Sequence, residues 1–419
     1  MAKSLKDEVS QVVERGNCSG CGLCAQLSPN ISMRLDSQGY FRPTWNHGTE
    51  PSDSLRATSE FLSACPGVLV KARSKSPDSW RHPILGPIVS IWEAWSTDPD
   101  TRRAGSSGGT ITALVSWLLD TGQYHRSTGV MQESADPRRT TAIRLSTKEE
   151  ALKAAGSRYA PVGAAEMCEL GNERDRGIFV GKPCEASAVR QVLESRQENS
   201  MPLILSFFCA GTPSQWATDS LVKELGITDA QDRVTSLKYR GDGWPGNFVV
   251  ETGNGETVSA SYNDSWGKHL GPTTQWRCKI CPDGVGESAD ITAGDFWHAD
   301  ERGYPSFEES DGVSVLIART RRGDELIRQA IAAGVLGAQP ADPNSVAGVQ
   351  PLQVKRRTTL IGRMMGAFLG GRRMPRYQGF RLLRTARLAP IAAAKSVGGT
   401  LLRVRRESAI HSVHRLDER

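Results

Sequence analysis

The sequence predicts an α/β (α+β) protein in three parts: a cysteine-rich N-terminal segment, a layered mixed-sheet domain and a basic helical C-terminal extension. Three observations predict it. The first is the run Cys18-Ser-Gly-Cys21-Gly-Leu-Cys24. The second is the alternation, from about Pro87 onward, of short apolar runs with stretches of helical period, which is the pattern of a layered sheet. The third is charge. From Gly348 to Arg419 there are 16 Lys and Arg against three acidic residues, while the rest of the chain holds 36 against 43. The expected boundaries are 1–85, 86–345 and 346–419.

The elements follow in order. The first part closes in a polar linker, Ser74-Lys-Ser-Pro-Asp-Ser79. Residues 88–95 read as a strand, and 108–119 as a helix with Ile111, Leu114, Val115 and Leu118 on one face. A short helix is expected over 149–155. Apolar runs at 178–180 and 203–208 read as buried strands around a helix from 185 to 194, with another helix at 216–225. Residues 248–251 and 257–260 form an expected hairpin around Asn254-Gly255. Strands at 289–295 and 313–318 and a helix at 324–333 complete the domain.

Composition bounds the function. The chain has 419 residues, 23% charged and 38% hydrophobic, which suits a globular protein of two or three domains. No apolar stretch approaches the roughly 18 residues of a membrane span. The N-terminus lacks the apolar run of a signal peptide, so nine cysteines point to a reducing cytoplasm rather than to disulfides.

Repeated two-residue gaps bring several thiolates to one point, which suits an iron–sulfur cluster held by four Cys. The local run stops one thiolate short, because Ser28-Pro29 stands where a bacterial ferredoxin has Cys-Pro. Cys65-Pro66 restores that dipeptide, so residues 29–64, rich in Ser, Pro, Asp and Asn, read as a loop that leaves and returns. Zinc is the alternative, although zinc sites pair separate knuckles more often than one triple run.

Four further cysteines form a second group. Cys278 and Cys281 make a CxxC. Cys184 and Cys209 each follow an apolar run at a Gly/Pro turn, where function collects in α/β sheets. Cys168 is left over and reads as a small buried hydrophobe. The turn Ser106-Ser107-Gly108-Gly109 precedes the 110–119 helix and suits a cofactor phosphate or a polar flavin edge, or else is a plain capping turn.

The chain resembles the family of beta subunits of coenzyme F420 hydrogenases and dehydrogenases. The resemblance rests on CSGCGLC at 18–24, SSGG at 106–109, GSRYAPV at 156–162, FVGKPC at 179–184 and FFCAGTPS at 207–214. It continues through Arg240 to Trp244 and CKICPDGVGESADITAGDFW at 278–297, all in family order. It implies a ferredoxin-like iron–sulfur segment, a flavin-binding domain, FAD, two [4Fe-4S] clusters and a link to F420. Cys18, Cys21, Cys24 and Cys65 would hold the outer cluster, and Cys184, Cys209, Cys278 and Cys281 the one near the flavin. Ser106, Ser107, Gly108 and Gly109 would contact the flavin. Two departures stand out: Gly-Lys-Pro-Cys places Lys182 beside the inner cluster, and Cys-Ala-Gly puts Ala210 where the family has His.

Three residues are expected to serve the chemistry: Lys182 by its charge, Tyr159 by facing the flavin or an anionic substrate together with Arg158, and Asp295 by orienting a cofactor ring or ribose. Arg240, Asp242 and Trp244 suggest a lid; Asp290 and Asp295 flank the short run Ile-Thr-Ala-Gly, and the alternative for Asp295 is an ordinary strand-end Asp. Expected partners are F420, a ferredoxin or an oxidoreductase subunit. In the extension, Leu360, Ile361, Met364, Met365, Phe368 and Leu369 recur at helical spacing among Arg356, Arg357, Arg363, Arg372 and Arg373. Such a helix suits an anionic surface such as the inner face of a membrane, or docking to a partner, or else it is a solvated, partly disordered tail. No nucleic-acid module is present. The competing reading of the whole chain is a zinc-stabilised binding or scaffold protein recruited by this tail.

Overall fold

The computed structural model describes residues 3–46, 55–74, 76–168, 177–198, 201–228, 233–296 and 310–417. Residues 47–54 of the expected loop, Lys75 of the expected linker and Trp297 of the last family motif lie outside the described residues.

An eight-stranded mixed sheet forms the centre. Its strands are β1 (Ser90–Ser96), β2 (Arg126–Gln132), β3 (Thr140–Leu145), β4 (Gly177–Gly181), β5 (Leu203–Phe207), β6 (Ile291–Asp295), β7 (Ser314–Ala318) and β8 (Leu336–Pro340). The spatial order is β8-β1-β7-β6-β5-β4-β2-β3. β2, β4, β5 and β6 run parallel to one another, and β1 shares their direction because both it and β6 pair antiparallel with β7. Five strands therefore end along one edge, which carries the candidate site. The central strands read as continuous apolar runs because helices cover both faces. α1 (Thr110–Asp120) buries Leu114, Val115 and Leu118 against one layer, as its period predicts. α2 (Pro183–Ser195) buries Ala186, Val189 and Val192 in another, where Cys168 also packs as a small apolar group. The expected hairpin at 248–260 is present, joined by a third strand at Val234–Lys238.

Residues 29–64 differ from the irregular loop expected of them. Ile31–Leu35 and Phe41–Trp45 form an antiparallel hairpin, and Leu55–Ala64 a helix that buries Ala57, Phe61 and Ala64. Polar composition conceals an alternating strand and a helical face.

The extension is docked from Pro351 to about Val404. α3 (Pro351–Leu369) packs closely on α4 (Pro390–Asp417), where glycines let the two backbones approach. A Cβ on Gly362 would collide with Ala393 O, and one on Gly366 with Val397 O. Arg376–Gln378 adds a parallel strand to Leu69–Lys71, so the two ends of the chain are stitched together.

Asp290 proves structural. It lies just before β6, at the edge opposite Asp295; its carboxylate forms an ion pair with Arg190 at 3.1 Å and accepts from Arg322 at 2.5 Å and from the Ile204 N–H at 2.9 Å. Burial alone would raise its pKa, but Arg190 and Arg322 outweigh burial and hold it at about 2. Against an unfolded value of about 3.9, this is worth roughly 2–3 kcal/mol. A depressed pKa stabilises above the unfolded value and is lost as pH falls through the folded one. Asp290→Asn is therefore expected to lower stability by roughly that amount above pH ~5, with the gap to the parent closing below pH ~4 in paired thermal melts.

Candidate redox site

The first thiol group is built by glycine. Gly20 and Gly22 have φ of 72° and 86°, the left-handed region, and a Cβ there would meet Phe41 O at 2.9 Å and Gly163 O at 2.8 Å. These two turns fold the triple run back on itself. Cys65 arrives from the end of the 55–64 helix, and Cys18, Cys21, Cys24 and Cys65 line one pocket with Val9, Val12, Met33, Pro43 and Phe61. Burial drives the Cys21 pKa up to about 11, and burial with repulsion between neighbouring thiolates raises Cys24 and Cys65. Four thiols in an apolar pocket need a cation to ionise, which is the donor set an iron–sulfur cluster takes.

The second group sits at the edge where the five strands end. Cys184 opens α2 just beyond β4, and Cys209 follows β5. Cys278 and Cys281 come from the short helix Trp276–Lys279 and the turn after it. Thr212 donates its N–H to Cys278 Sγ at 3.4 Å, and a Cβ on Gly211 would lie 3.3 Å from the Cys278 Cβ. Burial first, then the charge of Cys278, pushes Cys209 up to about 12. Cys184 lies within electrostatic reach of both Cys209 and Cys21, so the two groups adjoin. Among the described residues, no three His, Cys, Asp or Glu side chains come close enough to hold a single metal ion.

Lys182 is buried. Its Nζ donates to Val162 O at 2.7 Å and pairs with Glu185 Oε1 at 2.6 Å. Burial opposes its charge, but Glu185 and then Cys184 outweigh burial and raise its pKa. Arg277 is also buried. It donates to Pro66 O, next to Cys65, at 3.0 Å, and its charge is favoured by Cys281 and Cys184.

The Gly/Ser turn lies on the same edge. Ser96 donates its N–H to Gly108 O at 2.7 Å, the Gly108 N–H donates to Ser314 Oγ at 3.0 Å, and Ser107 Oγ donates to Val313 O at 2.7 Å. Ser314 pairs with Asp295 across β6 and β7, so the turn and Asp295 are neighbours. Ser107 and Gly108 thus anchor the turn to the sheet. Ser106 Oγ and Thr110 Oγ1 are buried without a hydrogen-bond partner, and no side chain caps the N-terminus of α1. Unsatisfied donors at a helix start with a positive dipole end fit an anionic or polar cofactor edge.

Arg240 closes this part of the site. It donates to Asp295 Oδ2 at 2.9 Å and Pro245 O at 2.6 Å, and reaches Tyr159 Oη at 3.5 Å. Its guanidinium lies over Trp244 at 4.5 Å and Tyr262 at 4.9 Å. Gly243 donates its N–H to Arg103 O at 3.0 Å, tying this loop to the segment before the Gly/Ser turn. Phe208 packs on Gly294, where a Cβ would meet its ring at 2.5 Å, and each is one residue from a member of the site, Cys209 and Asp295.

The structure therefore brings Tyr159, Asp295, Lys182, the 106–109 turn and the second thiol group to one edge. It does not bring Arg158 there. Arg158 donates to Thr140 Oγ1 and to the carbonyls of Leu237, Pro137 and Arg139, which leaves it a brace behind Tyr159. Asp242 pairs with Lys238 on the surface. Tyr262 and Trp266, which pack on Tyr159, carry no local signal in the sequence beyond being aromatic.

Fold and site together define a thiol-rich mixed α/β protein. The chain belongs to the family of coenzyme F420 hydrogenase/dehydrogenase beta subunits. The family's N-terminal model matches residues 91–169 and its C-terminal model residues 175–344, more than half of the chain. It is 26% identical over 271 residues to the coenzyme F420 hydrogenase subunit beta of Methanothermobacter thermautotrophicus, covering 62% of this chain and 87% of that one. It is 27% identical over 272 residues to the coenzyme F420 hydrogenase subunit beta of Methanosarcina barkeri, covering 62% and 84%. A chain of the F420-reducing [NiFe] hydrogenase complex from Methanosarcina barkeri aligns with a TM-score of 0.48 at 23% identity, covering 67% of this chain and 96% of that one.

Proposed function

We propose that this chain passes electrons between F420, or a ferredoxin-type donor, and a partner or substrate, through FAD and two [4Fe-4S] clusters. The observation that carries the reading is the shared edge, where the 106–109 turn neighbours Asp295 and where Phe208, next to Cys209, packs on Gly294. The division into 1–85, 86–345 and 346–419 serves it, with the outer thiols in the first part and the inner thiols and turn in the second.

Cys18, Cys21, Cys24 and Cys65 would hold the outer cluster, and Cys184, Cys209, Cys278 and Cys281 the inner one. Ser106 and Thr110 would donate to FAD, while Ser107, Gly108 and Gly109 keep the turn low enough for its approach. When bound, a flavin converts between two-electron and one-electron carriers. Tyr159 and Asp295, both held by Arg240, orient what binds there. Lys182 keeps a fixed positive charge beside the inner thiols, and Arg158 holds the chain behind Tyr159. The names of the relatives support F420 as donor and an oxidoreductase subunit as partner. The test is anaerobic mixing of the purified chain with reduced F420, reduced ferredoxin and NADPH in turn. One donor should bleach the flavin band; no bleaching by any of the three would overturn the reading.

The outer face of the extension supports peripheral contact with the inner face of the membrane. From Gly348 to Arg406 there is no acidic residue. Phe368 is 77% exposed, and Leu383 and Ile391 71% each, amid exposed Arg373, Arg381, Arg384 and Arg387. No helix among the described residues is long and apolar enough to cross a membrane. Each basic residue near an anionic surface contributes about 1 kcal/mol. Replacing Arg384 and Arg387 by Ala is therefore expected to weaken binding to phosphatidylglycerol vesicles about 20- to 30-fold in a sedimentation assay.

A further inference from the structure

The inner face of the extension carries a separate inference, which rests on the second thiol group holding a cluster. The helical spacing of α3 predicts basic residues on a surface. Instead Arg356 and Arg357 are 6% and 3% exposed and point into the protein. Arg357 pairs with buried Glu287 at 2.6 Å. Arg356 donates through Nη1 to Cys209 O at 2.8 Å and through Nη2 to Ala210 O at 2.7 Å, and Gln353 donates to Cys209 O at 3.2 Å. Further along, Arg363 donates to Lys279 O at 2.7 Å and Tyr377 Oη to Ile280 O at 2.7 Å. The extension thus satisfies the carbonyls of residues 209, 210, 279 and 280, which bracket three of the four inner cysteines.

The body is shaped to receive it. A Cβ on Gly284 would collide with Gln353 Oε1 and Arg356 Nη1. Gly284 O in turn accepts the Cys209 N–H at 2.9 Å. So a residue three positions beyond Cys281 is kept bare where Arg356 enters. The family match ends at residue 344, before α3 begins.

We propose that Arg356 is a positioning residue for the inner thiol group, which fixes the Cys209–Ala210 main chain and whose buried charge raises the reduction potential of a cluster held there. One-electron reduction adds a negative charge to the cluster, and a fixed cation at hydrogen-bonding range of its ligand loop favours that state. The guanidinium bridges two carbonyls as a fork, which a lysine reproduces in charge but not in geometry.

The test is an anaerobic redox titration followed by electron paramagnetic resonance on the full chain, comparing the parent, Arg356→Gln, Arg356→Lys and the surface change Arg405→Gln. Arg356→Gln should lower the midpoint of one cluster and leave the other unmoved. Arg356→Lys should restore most of the shift, and Arg405→Gln should do nothing. If Arg356→Gln fails to load iron, Arg356→Lys decides: a loaded variant near the parent midpoint supports the charge role. Unmoved midpoints in a fully loaded Arg356→Gln protein overturn the inference while leaving the cluster reading intact; loss of one cluster from both variants, with the other still loaded, supports the positioning role of the fork. A parent with only one cluster overturns both.

Discussion

Replacing Cys278 with Ser is expected to remove about half of the iron and the flavin together, while Cys18→Ser removes a similar share of iron and leaves the flavin in place. The asymmetry follows from position. The 278–281 turn and the Cys209 loop adjoin Asp295 and the 106–109 turn, whereas Cys18 sits in a separate pocket among the N-terminal helices. Serine keeps the volume of the side chain and can still accept the Thr212 N–H that Cys278 accepts at 3.4 Å. The fold should therefore persist, and the loss should come from exchanging a soft thiolate for a hard hydroxyl. Cys168→Ser is the internal control. Cys168 is buried among Ala164, Phe179 and Val189, and its replacement should cost no iron. Iron and flavin per chain, measured after anaerobic purification, check all three.

The second large effect is expected at Arg240. This side chain is almost wholly buried, and its charge is held by Asp295 and two aromatic faces. Burial disfavours its charge, yet Asp295 outweighs that and raises its pKa, so it stays cationic at any working pH. Arg240→Ala removes the partner of Asp295, the donor to Tyr159 and the cation between Trp244 and Tyr262. Breaking a buried pair costs about 3–5 kcal/mol, and the partly exposed Asp295 carboxylate points to the lower end. The flavin should be retained far more weakly, because the Tyr159–Asp295 wall loses its tie. Arg240→Lys should recover the charge but not the fork that spans Asp295 and Pro245, and so only part of the binding. Equilibrium dialysis against FAD, with thermal melts of the flavin-free protein, separates binding from stability.

How far the sequence can be read depends on where each residue finds its partners. Cys184 and Cys209 are legible at the strand ends because a central parallel strand must be a short apolar run, and Gly or Pro marks where it stops. The return of Cys65 is legible from its Pro66. The hairpin between is not, since its polar outer face masks the alternation of Ile31, Met33 and Leu35. Lys182 is legible beside Cys184 from Gly-Lys-Pro-Cys, but its burial is not. It is buried because Glu185, one helical turn away, meets it at 2.6 Å. Arg356 is hidden for a stronger reason: its acceptors lie 146 and 147 positions away, and no local pattern reports them. Arg158 is drawn toward the site by its neighbour Tyr159, yet its guanidinium is taken up by Thr140 and by carbonyls 19 to 79 positions away. Strands β2 and β3 carry little signal because each is only partly buried and Gly129 interrupts the first.

The most direct measurement is the cofactor content of the full-length chain purified without oxygen. About eight iron atoms, matching sulfide and one FAD per chain, with a brown colour that bleaches on reduction, are expected for two [4Fe-4S] clusters beside a flavin. A colourless chain that holds zinc and no flavin would contradict the account.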